Sequence, residues 1–268
     1  MDKFERLLRV DETIFGIYGK LLTIKRAPLL LKTRTVLSRN KLLLDQKKSD
    51  TCYIVGLGPS LKKVDLDILQ GDMIVTNRFY KIDGANNTRP VAYVMCDNDF
   101  FNEKYCADFK QAVNSFQDTN FILNGSYIDN IKQWFPNNDN FYYLLLWDGF
   151  ISEKTKIDCT KVLPMSSNVI CTAIMVALFM GYKRIYLLGC DFNSFASNTA
   201  IHAYKEENKA RLWTMSNELF QYSFAADMHM KLDSMAKKRN QEIINATVGS
   251  LIDAYRFDED EMKRIYKD

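Results

Sequence analysis

Residues 52–60, Cys-Tyr-Ile-Val-Gly-Leu-Gly-Pro-Ser, constrain this chain more than any other stretch. Four β-prone apolar residues run directly into Gly56, Leu57, Gly58, Pro59 and Ser60, the pattern of a buried strand ending in a tight turn beneath a helix. Glycine permits positive φ and close approach of the backbone to a phosphate, and Ser60 can cap the segment that follows. The turn is therefore a candidate phosphate cradle for a nucleotide. It is not a dinucleotide fingerprint, which needs a third glycine where Leu61 stands and an acidic residue near the positions held by Asn77 and Arg78. NAD is disfavoured. A strand-to-helix turn without a ligand is the plain alternative.

Similar signals recur along the chain. MIVT ends at Asn77, Arg78, Phe79 and Tyr80, and VAYVMC ends at Asp97, Asn98 and Asp99. NFIL and FYYLLLW read as two further strands. SSNVICTAIMVALFMGYK is apolar all round, with Ser166, Ser167 and Asn168 in front and Gly181 behind, the pattern of a buried helix with an N-cap and a C-terminal glycine. It feeds RIYLLGCDF, a buried strand ending at Gly189, Cys190 and Asp191; Glu207 to Arg239 is helical in composition, and QEIINAT is a late strand ending at Asn245 and Thr247. This alternation predicts an α/β fold with a single doubly wound, mostly parallel Rossmann-like sheet over residues 51–255. Ligands of such sheets bind outside the strand C-termini, so the polar residues gathered there are the first candidates for chemistry.

The net charge of +3 is unevenly spread. Residues 1–50 carry twelve Lys/Arg against six Asp/Glu, which leaves the remainder of the chain net acidic. This arm repeats apolar residues at near-helical spacing on either side of Pro28, so two basic amphipathic helical halves are expected, and residues 256–268 read as a helical tail. The arm suits either peripheral contact with an anionic membrane or packing on the body or on a second subunit, as in a homo-oligomer. The main body lacks a basic and aromatic recognition face, so nucleic acid is not expected. Six cysteines without a C-x-x-C pair point to buried thiols in a reducing compartment. With neither a leader pattern nor an apolar run near twenty residues, a cytoplasmic protein is expected, held at most peripherally on the inner face of the cytoplasmic membrane.

Several residues are candidates for chemistry. His202, one of two histidines, follows the Gly189 strand in a loop and could deprotonate an acceptor hydroxyl. Asp191 could take the same role or orient a donor hydroxyl, with a turn cap as its alternative. Asn193 and Tyr204 lie in the same loop region. Asp97-Asn98-Asp99 resembles the D-x-D of metal-dependent glycosyltransferases, where carboxylates hold Mg²⁺ or Mn²⁺ against a diphosphate; Asp65-Leu66-Asp67 and Asp258-Glu259-Asp260 repeat the string elsewhere. Arg78 could pair with phosphate or a sugar carboxylate. His229, flanked by methionines, reads as packing, and Asn245 and Thr247 read equally as crevice or turn residues.

Taken together, GLGPSLKKVDL, TNRFY, SSN before an alanine-containing apolar helix, GYKRIYLLGCDF and NATVGSLID resemble bacterial sialyltransferases of glycosyltransferase family 42 over roughly residues 51–255. They are also similar to related Rossmann-like domains of polysaccharide gene clusters described as pterin pyrophosphokinase-like. The resemblance implies a GT-A-like single domain without an obligatory metal. It would transfer a sugar, sialic acid or a related acidic sugar, from a nucleotide donor, CMP-activated in the sialyltransferases, to a glycan acceptor of a surface polysaccharide such as capsule or lipopolysaccharide. It places the donor phosphate on Gly56 to Ser60 and nucleotide contacts on Asn77, Ser167 and Gly189. The family's asparagine in this turn is Leu57 here, its arginine falls in the Leu163 to Met165 stretch, its tyrosine is Asn193, and its histidine base aligns near Ser223, with His202 upstream. A Mg²⁺-dependent pyrophosphokinase using ATP and a non-catalytic scaffold of polysaccharide assembly are the rival readings.

Overall fold

The five residues Thr51–Val55 (β1) are all buried. A strand buried on both faces needs helical layers above and below it, which is the environment of a parallel sheet. The computed structural model describes residues 13–14, 17–22, 24–102, 106–147, 151, 155–197, 202–205 and 214–267. Among these, nine strands form one sheet: β1, β2 (Asp72–Thr76), β3 (Ala92–Met95), β4 (Asn120–Asn124), β5 (Phe141–Leu146), β6 (Val162–Leu163), β7 (Arg184–Leu188), β8 (Glu242–Asn245) and β9 (Arg256–Phe257). Their spatial order is β6-β5-β4-β3-β2-β1-β7-β8-β9, and each neighbouring pair is parallel. The chain grows outward from β1 to one edge, returns to the far side of β1, and grows outward again, so the topological switch lies between β1 and β7. The expected doubly wound α/β sheet is present, with every pairing parallel.

Two apolar layers cover the sheet. One contains α4 (Val169–Met180), α5 (Met215–Lys238) and Leu43 from the 3-10 stretch Arg39–Asp45. The other is built on aromatic residues from β3 to β5 and from α2 (Cys106–Ser115), with Ile128 and Ile131 of α3 (Ile128–Trp134) and Ile265 of α6 (Glu259–Ile265). In α4, every residue from Cys171 to Met180 is buried, as its all-round apolar sequence requires. Asn168 accepts from the Cys171 amide at its start, and Gly181, at φ +83°, ends it.

Pro28, expected to interrupt the arm, stands instead in the first turn of α1 (Ala27–Ser38), where its missing N–H is not needed. Helix α1 packs on β5 through Leu37, against Leu145 and Trp147. The second half of the basic arm is thus part of the body. Residues 256–268 add strand β9 before the helix, and Tyr53 of β1 donates to Glu261 of α6 at 2.6 Å. The tail is therefore more than a helix: it supplies an edge strand and part of the second layer.

His229 of α5 is 1% exposed, and its Nδ1 lies 2.9 Å from the Tyr255 hydroxyl. Burial holds its imidazole near 4, below the ordinary 6.5. The folded protein keeps it neutral, whereas the unfolded chain takes up a proton below about pH 6.5. This contribution to stability is complete above that pH and is lost as pH falls toward 4. Between about pH 8 and pH 5 the loss should be about 2 kcal/mol, read as a falling urea midpoint. His229→Gln, which can still bond Tyr255, should flatten that slope; an unchanged slope contradicts the assignment.

Candidate functional site

At the switch point β1 and β7 continue past their last paired residues in unusually close contact. The Gly56 amide donates to the Leu188 carbonyl at 2.7 Å, and the Gly58 amide donates to the Gly189 carbonyl at 2.8 Å. A Cβ on Gly56 would sit 2.5 Å from the Gly189 carbonyl oxygen; one on Gly189, which also has φ +62°, would sit 2.8 Å from the Gly56 carbonyl oxygen. Both glycines are needed for backbone approach across the switch, whatever else binds there.

Asp191, directly beyond Gly189 and Cys190, reaches back over this turn. Its Oδ1 accepts from the Ser60 amide at 3.1 Å, and its Oδ2 accepts from the Ser60 hydroxyl at 2.7 Å. A Cβ on Gly58 would lie 1.9 Å from Oδ2. The carboxylate thus occupies the anion position over the Pro59–Lys63 turn that the sequence offers to a phosphate. The Gly56, Gly58 and Ser60 amides are committed to protein acceptors, so the glycine turn is not an open phosphate cradle. Asp191 is a buried latch between β7 and β1, with both oxygens accepting from Ser60.

The polar residues that end β2 and β3 lie on the side of β1 away from β7. Asn77, at the end of β2, adopts φ +46°. Its carbonyl accepts from the Tyr93 hydroxyl at 2.6 Å and its Nδ2 donates to Asp97 at 2.7 Å, while its buried Oδ1 has no hydrogen-bond partner. Asn98 is joined to β4 by Asn124, whose Nδ2 donates to the Asn98 Oδ1 at 3.0 Å. Arg78 donates to Asp108 at 2.9 Å and lies over the Phe100 ring. Asp108 also receives the Tyr80 hydroxyl and Lys81. Burial pushes its carboxyl upward, but hydrogen bonds from Tyr80, Arg78 and Lys81 outweigh this and hold it below the ordinary carboxylate value.

Residues 202–205 come down on the same region. The Ala203 amide donates to the Leu57 carbonyl at 2.8 Å, His202 stacks on Tyr204 with ring centroids 5.0 Å apart, and Lys81 lies over the Tyr204 ring. His202, Tyr204, Leu57 and the β2 end are therefore brought together. Helix α4 enters from β6 and leaves toward β7, so its N-terminus faces the strand C-termini. The Cys171 and Thr172 amides are satisfied by Asn168, whereas those of Val169 and Ile170 have no acceptor within the helix. Ser166 is turned to the Asn168 carbonyl, and the Ser167 hydroxyl points at the Met228 sulfur, 3.8 Å away.

The remaining candidates serve the scaffold. The Cys190 amide donates to the Thr247 hydroxyl, which itself donates to the Leu187 carbonyl, and Asn245 ties down Ser250 and Ile252. Burial raises the Cys190 thiol far above its ordinary value. The Asn193 carbonyl accepts from Ala196 in a short turn, and Ser223 lies exposed on α5. Asp97 is bonded to Asn77, and among the described residues no three His, Cys, Asp or Glu side chains assemble a metal site. Sequence reasoning missed Asp108, Tyr93 and Asn124, none of which stands in a motif.

The strand order defines a doubly wound Rossmann-like sheet with polar residues gathered at the strand ends beside its switch point. No family model matches the chain, and no curated protein does. Among solved structures it is similar to the sialyltransferase CstII from Campylobacter jejuni in complex with a substrate analogue, cytidine-5'-monophosphate, at 19% identity, covering 77% of this chain and 84% of that one with a TM-score of 0.49. It is also similar to the sialyltransferase CST-II in complex with a trisaccharide acceptor and CMP, at 20% identity over 77% and 84% of the two chains, TM-score 0.48. A third is the monofunctional alpha-2,3-sialyltransferase Cst-I from Campylobacter jejuni, at 18% identity over 78% and 80%, TM-score 0.49. At these identities and scores the likeness assigns no residue role to this chain.

Asp191→Ala would leave the half-buried Ser60 amide without its charged acceptor, so a loss of about 1.5–3 kcal/mol is expected by urea denaturation. A variant as stable as the wild type would contradict the latch.

Proposed function

We propose that this protein is a glycosyltransferase that binds a nucleotide sugar in the cleft between the β2 to β4 ends and the start of α4, with a CMP-activated donor favoured by its motifs and a surface glycan as acceptor. The observation that carries the reading is Asn77. Its backbone is held at φ +46° by Tyr93, its Nδ2 is fixed on Asp97, and its Oδ1 remains a buried acceptor without a partner. Buried polar atoms are usually paired, and an exception at a strand C-terminus suits a ligand N–H or O–H donor, such as a base amine or ribose hydroxyl.

His202 acts as the general base in this account. It takes the acceptor hydroxyl's proton as the oxygen bonds to the anomeric carbon; the bond from that carbon to the phosphate oxygen breaks, and its electron pair stays on the nucleotide. The Val169 and Ile170 amides at the head of α4 face the charge that develops there. Arg78, which shares Asp108 with Lys81, shapes the cleft wall, and Tyr204 holds the His202 ring by stacking.

A thermal-shift screen of CMP, UDP, GDP and ATP, with and without Mg²⁺, tests the reading. A ligand at 100 times its Kd adds about 2.7 kcal/mol, or roughly 5–10 °C for a domain near this size. CMP should stabilise the wild type and fail with Asn77→Ala. A shift confined to ATP with Mg²⁺ would favour a pyrophosphokinase, and no shift a non-catalytic scaffold. For turnover, His202→Ala should lose on the order of 10²–10⁴-fold at unchanged melting temperature; a loss under threefold contradicts its role.

A further inference from the structure

Residues 17–22 and 24–25 are helical and lead through a turn at Arg26 into α1. Gly19 is buried and Leu22 half-buried on the inner side of this segment, while Ile14, Ile17, Tyr18, Leu21 and Ile24 are 52–72% exposed. In the sequence these five stand at i, i+3, i+4, i+7 and i+10, the spacing of one helix face. Scattered apolar residues on a surface are ordinary, but an aligned stripe is a contact face.

Beyond Asp11 and Glu12, the charge this segment itself carries is of one sign. From residue 13 to residue 44 the sequence contains seven Lys/Arg and no Asp or Glu. Lys20, Lys25 and Arg34 are exposed, whereas Lys32 is neutralised by Asp129 at 2.6 Å. A two-fold contact with a second copy would oppose this strip to itself, with like charges facing. An apolar helical stripe set in a basic, acid-free band is instead the pattern of a helix lying in an anionic lipid interface. Among the described residues no helix is long and apolar enough to cross a membrane.

The position of the stripe gives it a consequence for the site. Arg26 lies over the Trp147 ring, just beyond the C-terminal end of β5, whereas Arg39 bonds the Asp139 carbonyl just before the start of β5. Helix α1 therefore runs antiparallel to β5, and the residues preceding it lie toward the strand C-termini, the edge that carries the crevice.

We infer that the 14–25 stripe and its basic flank dock on an anionic bilayer and turn the crevice edge toward it. Resting on the glycosyltransferase reading, this makes the acceptor a glycan anchored in that membrane. The docking is tested without any activity assay by co-sedimentation of the full chain with vesicles. Vesicles with about 30% phosphatidylglycerol in phosphatidylcholine should bind at least about tenfold more protein than pure phosphatidylcholine, and about 0.5 M NaCl should abolish the difference. Ile17→Asp/Leu21→Asp and Lys20→Glu/Lys25→Glu, all at exposed positions, should each lower binding about tenfold while keeping the wild-type melting temperature. Equal binding to both vesicle types, or wild-type binding by either folded double variant, overturns the inference. A concentration-dependent dimer abolished by Ile17→Asp/Leu21→Asp would overturn it too, by placing a second copy on the stripe. Failure of the nucleotide screen would leave these readouts unaffected, so the two proposals fail separately.

Discussion

The meeting of β1 and β7 sets the geometry of everything around it. Two parallel strands whose crossovers depart in opposite directions must open a cleft at their C-termini, yet here the chain beyond them is drawn together by reciprocal glycine contacts and two backbone hydrogen bonds. Asp191 then locks the contact by accepting twice from Ser60. The latch occupies the position directly over the switch, and the polar ends of β2 to β4 lie beside it. The C-terminus supports the same region: Lys267 donates to the Lys63 carbonyl and Asp65 to that of Ile265, so the last residues clamp the chain just after the glycine turn.

The cleft beside the latch is preorganised by interactions that cross between strands. Tyr93 and Asp97 fix Asn77, Asn124 fixes Asn98, and Asp108 gathers Arg78, Tyr80 and Lys81. Opposite them, α4 cannot shift without disturbing a surface that is buried on every side. Donors and acceptors fixed on rigid elements have completed their reorganisation during folding.

Much of this was legible in the sequence, and the reasons are local. The apolar runs of β1 to β5, β7 and β8 end at turn residues, and α4 announces itself by Asn168, Gly181 and its all-round apolar composition. The meaning of the glycines was not legible, because a turn that cradles a phosphate and one that receives a neighbouring strand require the same residue. What separates them is Asp191, 131 positions away from Ser60. Asp108 was hidden for a similar reason: within an amphipathic helix it looks like any solvated carboxylate, and only folding brings Arg78 and Lys81 to it. Pro28 could equally break a helix or begin one, and the surrounding apolar spacing, similar on both sides, did not decide between them.

Amide-resolved NMR during a CMP titration tests most directly whether the nucleotide sits beside the latch rather than in the glycine turn. The account predicts the largest shifts at Asn77, Asn98, Val169 and Ile170, with the Gly58 and Ser60 amides little changed because their bonds to Gly189 and Asp191 persist. Dominant shifts at Gly58 and Ser60 with Asn77 unmoved would contradict it, as they would mean that the latch opens and the turn receives the phosphate.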